Sequence, residues 1–141
     1  MFDPSPSATN AQLMQPGQRL ARGVCRFLVE AGGAPITEFT PARGLRTDVT
    51  AIMGDGEIWC VECKSSLADY QSDSKWTGYL QWCDRFFFAV GEAFPQDVLP
   101  EETGLIIADD FSAEIARPAP LGKLPAARRK AQTQRVARAA M

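Results

Sequence analysis

The apolar positions of this chain follow two periods. Over residues 18–31, Leu20, Val24, Phe27 and Leu28 recur at i, i+4, i+7 and i+8, which predicts a helix with one apolar face, stopped by Gly32-Gly33. Alternation then takes over. Residues 36–40 read as a first strand, closed by Pro41 and Gly44, residues 45–53 as a second and residues 57–65 as a third. Gly54-Asp55-Gly56 separates the last two. A three-residue turn there pairs 51–53 with 57–59, puts Asp48 opposite Glu62 and puts Arg46 opposite Lys64. Lys64 follows Glu62 by two and shares its face. A two-residue turn would instead send the two carboxylates to opposite faces.

Ser66 with Asp69 three residues on is a helix-start pattern, with a short helical turn running to Asp73. Trp76, Tyr79, Leu80 and Cys83 then predict an amphipathic helix whose aromatic stripe is core. RFFFAV at 85–90 is apolar throughout, as befits a central strand buried on both faces. Residues 91–103 read as a loop with one turn of helix, and 104–108 and 112–116 as two more strands. Pro125 suits the first turn of a last helix to about residue 140. The fold class is α/β (α+β), a mixed central β-sheet flanked by helices. Residues 1–17 are expected to be a flexible arm, 18–122 the domain, and 123–141 a basic helix packed on the domain or extending from it.

Charge changes this picture at the end of the chain. Six of the fifteen basic residues and none of the seventeen acids fall in 123–141, which leaves nine bases against seventeen acids before it, a net of −8. Such asymmetry fits a polyanionic partner for the tail, or a tail docked on the acidic body. Arg19, Arg22 and Arg26 form a smaller stripe on the first helix, usually just solvated, with a DNA-backbone contact as the alternative. No apolar run is long enough for a membrane span and no secretory signal is visible, so a cytoplasmic protein with reduced cysteines is expected. Cys60 and Cys63 make a formal CxxC, but in a strand they point to opposite faces and cannot chelate one ion. The chain has no histidine, which removes the usual Ser-His and Cys-His nucleophile pairs.

The chemistry therefore rests on Asp48, Glu62 and Lys64. Opposed carboxylates destabilise a sheet, and Glu62 lies in the apolar run 58–63, where a lone carboxylate is costly. A divalent cation relieves both problems, and Mg²⁺ is commonly held by one or two carboxylates plus waters and substrate phosphate. Such an ion activates water and neutralises phosphate charge, with Lys64 orienting the water or stabilising the developing charge. Lys75 is placed to reach a substrate phosphate. Glu38 joins the carboxylate patch if the first two strands pair suitably, and Glu30 reads as a surface acid.

A helix, three antiparallel strands carrying D…ExK, then a helix and further strands resemble the PD-(D/E)xK nuclease superfamily. Here the motif is Thr47-Asp48, thirteen residues, then Glu62-Cys63-Lys64. RTDVTAI, GDGEIWCVECKSSLADYQSDSKW and CDRFFFAV, with LPAARRKA in the tail, are similar to the MmcB family of bacterial DNA repair proteins over about residues 18–140. The resemblance implies a restriction-endonuclease-like core and a role in DNA repair. It implies that Asp48, Glu62 and the backbone carbonyl of Cys63 ligate Mg²⁺ or Mn²⁺, with Lys64 as the catalytic lysine. Thr47 stands where a proline is usual, and Glu38 is a better substitute than Glu30 for the first-helix acid of some relatives.

The expected activity is that of a metal-dependent DNA nuclease hydrolysing phosphodiesters in branched, damaged or single-stranded DNA. Lys75, Arg46, Arg128, Arg129 and Lys130 would grip phosphates. A non-catalytic DNA-structure-binding or scaffold module with the same fold is the alternative, and a protein partner in repair would suit the acidic body. A metal-free domain with Asp48 and Glu62 paired to Arg46 and Lys64 is a third reading. A homodimer would suit cutting of both strands, though the sequence carries no interface signal for one.

Overall fold

The computed structural model describes residues 14–73 and 75–141, so most of the expected arm lies outside the described residues. Helix α1 spans Pro16–Glu30. It begins two residues before the apolar period does, because Pro16 sits in the first turn and Gln15 and Gln18 form a reciprocal capping box. Strands β1 (Ala34–Ala42), β2 (Leu45–Ile52) and β3 (Ile58–Cys63) follow. Then come the short helix α2 (Leu67–Gln71), a 3₁₀ segment (Trp76–Trp82) and β4 (Arg85–Val90). A 3₁₀ turn (Gln96–Val98) leads to β5 (Gly104–Ala108), β6 (Ala113–Arg117) and helix α3 (Ala126–Ala139).

All six strands form one sheet in sequence order. β1, β2 and β3 are antiparallel neighbours, β4 and β5 run parallel to β3, and β6 returns antiparallel. The inner strands of the sheet are buried on both faces. Val49, Ala51, Val61, Phe87 and Ala89 pack against Leu20, Val24 and Leu28 of α1. The alternate residues Ile58, Cys60, Phe86 and Phe88 pack against Tyr79, Cys83 and Leu124. Cys60 and Cys63 thus lie on opposite faces of β3, as their spacing requires. Thr50 shares its side of β2 with Asp48, yet it is fully buried, its hydroxyl bonded to that of Thr47 at 2.6 Å.

Two elements depart from expectation. Residues 76–82 wind as 3₁₀ rather than α. At three residues per turn, Trp76 and Tyr79 stay in line toward Phe86, while Leu80 swings outward and is 44 % exposed. β1 also runs through Pro41, which an edge strand tolerates because the outward position has no ladder bond to lose.

α3 packs on the body through its bases. Arg129 pairs with the buried Asp84 at 2.6 Å. Arg128 donates to the Gln81 carbonyl and lies 4.8 Å over the Trp82 ring. Arg135 donates to the Thr40 and Pro41 carbonyls. Among the described residues no helix is long and apolar enough to cross a membrane.

Candidate active site

The turn between β2 and β3 sets the register. Met53 N–H donates to the Glu57 carbonyl, and Gly56, at φ +90°, donates back to Met53. The turn is therefore the three-residue one, and the ladder runs from Ile52↔Ile58 to Val49↔Val61. There it stops. β2 continues alongside β1 as far as Leu45, and β3 continues alongside β4. The two strands fork one step before Asp48 and Glu62 would pair.

At the fork, side chains replace the main-chain ladder. Glu62 Oε1 accepts the Asp48 N–H at 3.0 Å, and Asp48 Oδ2 accepts the Cys63 N–H at 2.7 Å. Asp48 thus satisfies the Cys63 N–H that the fork would orphan. Asp48 Oδ1 and Glu62 Oε2 take no hydrogen bond from any described residue, and neither is sealed from solvent. Lys64 N–H bonds the Ala89 carbonyl, toward β4. Cys63, one residue earlier, turns its N–H toward β2, and its carbonyl points the same way.

These groups line a cavity of about 890 Å³ whose wall also includes Arg46, Lys64, Asp73 and Lys75. The start of α1 forms part of its rim through Gln15, Pro16 and Gly17. Lys64 is 5 % exposed and pairs with Asp73, Nζ to Oδ2 at 2.6 Å, rather than with Asp48 or Glu62. Tyr79 closes one side, its hydroxyl donating to the Arg46 carbonyl at 2.8 Å. Glu38 stands opposite Asp48 in the β1–β2 register. It is exposed, at φ +56°, the one positive φ of a non-glycine among the described residues. It lines a neighbouring cavity of about 470 Å³ that shares Asp48. Arg128, Arg129 and Lys130 lie outside both cavity walls. Asp73 and Tyr79 are the neighbours that sequence reasoning missed. Neither has a spacing signal, because the path of the crossover from β3 to β4 brings them in.

The electrostatics follow from burial. Burial and the charge of Asp48 push Glu62 up to about 8. Burial raises Asp48 as well, against the opposing pull of the Cys63 N–H and Lys64. Burial alone would lower the Lys64 ammonium, but the Asp73 hydrogen bond and charge outweigh it and raise the pKa. Burial and the charge of Glu62 push the Tyr79 hydroxyl up to about 12. The site thus holds two crowded carboxylates with open oxygens and a cation committed elsewhere. No group of three or more His, Cys, Asp or Glu side chains converges among the described residues. That donor set does not fit a closed zinc cage, which needs four ligands. It does fit Mg²⁺ or Mn²⁺, which keep water and substrate oxygens on most positions.

The class these features define is an α+β domain whose mixed sheet is forked around paired carboxylates. A family model described as DNA repair protein MmcB-like matches residues 4–141, and the chain belongs to that family. Among solved structures it is similar to the SPO1766 protein of unknown function from Silicibacter pomeroyi. The two are 57 % identical with a TM-score of 0.89, over 91 % of this chain and 88 % of that one. A repair endonuclease from Pyrococcus abyssi is 19 % identical with a TM-score of 0.36, over 68 % of this chain and 42 % of that one, a likeness too slight to carry an argument. No curated protein sequence matches the chain.

Proposed function

We propose that this protein is a metal-dependent DNA nuclease of the PD-(D/E)xK type acting in repair. The observation that carries the reading is the fork. Asp48 and Glu62 each hold a backbone N–H of the opposite strand with one oxygen, and both residues line one cavity whose wall also carries Lys64. A fold with no use for a cation would gain more by continuing the ladder and burying apolar residues there.

Asp48 and Glu62 are the residues to hold Mg²⁺ or Mn²⁺, with the Cys63 carbonyl turned to the same side; Glu38, across from Asp48, is the acid for any second position. The bound ion would supply an activated water and charge neutralisation at the phosphate. Lys64 donates N–H bonds to a non-bridging phosphate oxygen as charge develops during in-line attack. Arg46, through its paired N–H donors, and Lys75, as a point charge, bind flanking phosphates at the cavity wall. Lys130 is the tail base best suited to reach DNA, since Arg128 and Arg129 have partners within the protein.

The test is nicking of labelled duplex, single-stranded, flapped and branched DNAs with Mg²⁺ or Mn²⁺. Cleavage is expected for the wild type, with Asp48→Ala and Lys64→Ala each abolishing it while thermal melting stays cooperative. Full activity in either variant would remove this mechanism. No cleavage of any DNA, with no metal binding by calorimetry, would point to a DNA-binding or scaffold module.

A further inference from the structure

Lys64 carries its charge at the end of a flexible four-carbon stem, which loses rotamer entropy on being fixed. β3 sets where the stem begins but not where the ammonium ends. Asp73 does that, with Oδ2 2.6 Å from Nζ. Asp73 is itself held, since its Oδ1 accepts the Lys75 N–H at 2.8 Å. Both oxygens are therefore occupied, one by the ammonium and one by the backbone of a second cavity-lining base. An ordinary surface ion pair is solvated and worth little. Here the Lys64 side chain is 6 % exposed and that of Asp73 22 %, and both face the cavity that holds Asp48 and Glu62.

We propose that Asp73 is the positioning residue for Lys64. It holds the ammonium against the cavity wall, leaving Nζ with further N–H donors for a substrate phosphate. Asp73 touches neither substrate nor metal in this role and acts through Lys64 alone. The proposal rests on the nuclease reading above. It adds a residue outside the D…ExK motif, contributed by the turn after α2.

Single-turnover cleavage of the same DNA panel with Mn²⁺ tests it, using Asp73→Asn and Asp73→Glu. Asp73→Asn is expected to lower the maximal rate about 10–100-fold, the usual cost of losing an outer partner of a reacting group, with KM for DNA and Mn²⁺ affinity near wild type. Asp73→Glu, which restores the charge, is expected to recover most of the rate. If Asp73→Asn melts early, Asp73→Ser takes its place, since it can still accept the Lys75 N–H but offers Lys64 no charge. A wild-type rate in Asp73→Asn, or a loss carried by KM for DNA rather than by the maximal rate, overturns the role and leaves the nuclease reading standing. A wild type that cuts none of the DNAs overturns the reading and the role together.

Discussion

Glu62 accepts the Asp48 N–H with one oxygen and leaves the other open in a wall where the residue is 4 % exposed. Its pKa rises from 4.5 to about 8, so between those values the folded protein holds a proton that the unfolded chain releases. Stability of the metal-free protein should therefore fall as pH climbs through that window, by up to about 1.4 kcal/mol per pH unit. Thermal melts at pH 5.5 and 8 check this, and Glu62→Gln should flatten the difference. Saturating Mn²⁺ should flatten it too, by stabilising the ionised form. The opposition of Asp48 and Glu62 was legible because strand pairing across a short turn is arithmetic, and Gly56 at positive φ selects the three-residue turn. Their hydrogen bonds to each other's strands were not legible, because alternation along a strand does not show where two strands part. The expected facing of Arg46 and Lys64 dissolves at the same fork: β2 carries Arg46 away with β1, and Lys64 turns to Asp73.

Helix α1 lies against the sheet at a glycine. A Cβ at Gly23 would come within 1.9 Å of the Asp109 carbonyl oxygen, which is backbone and cannot step aside. Gly23→Ala should cost about 1–3 kcal/mol, read as a lowered denaturant midpoint, although alanine is the better helix former. Helix α3 is anchored differently. Asp84 accepts N–H bonds from Ile58 and Leu124 besides its pair with Arg129. Asp84→Ala should orphan both buried donors, at about 1–3 kcal/mol each, and urea melts monitored by far-UV circular dichroism would show it. The strands and long helices were readable as elements by different signals: helix α1 by its 3.6-residue period, β2 and β3 by alternation, β4 by an unbroken apolar run and α3 by Pro125. The winding of 76–82 was not, because Trp76 and Tyr79, three apart, fit an α-helical face and a 3₁₀ line alike, and Cys83, which completes the α-helical pattern, lies beyond the segment in extended chain.

For the whole molecule, the basic tail is held on the body by one ion pair, Arg129 to Asp84, and by Arg128 and Arg135 donating to backbone carbonyls. Asp84 is the fixed point of that closure, and its partners are spread from Ile58 to Arg129. During synthesis on the ribosome, Asp84 leaves the exit tunnel well before Leu124 and Arg129 do. A nascent chain must keep in water a carboxylate that has no exposure in the finished protein. Asp84 gains its Arg129 partner only once α3 is made, so a chain stalled before Pro125 would display an unfinished sheet face to chaperones and proteases.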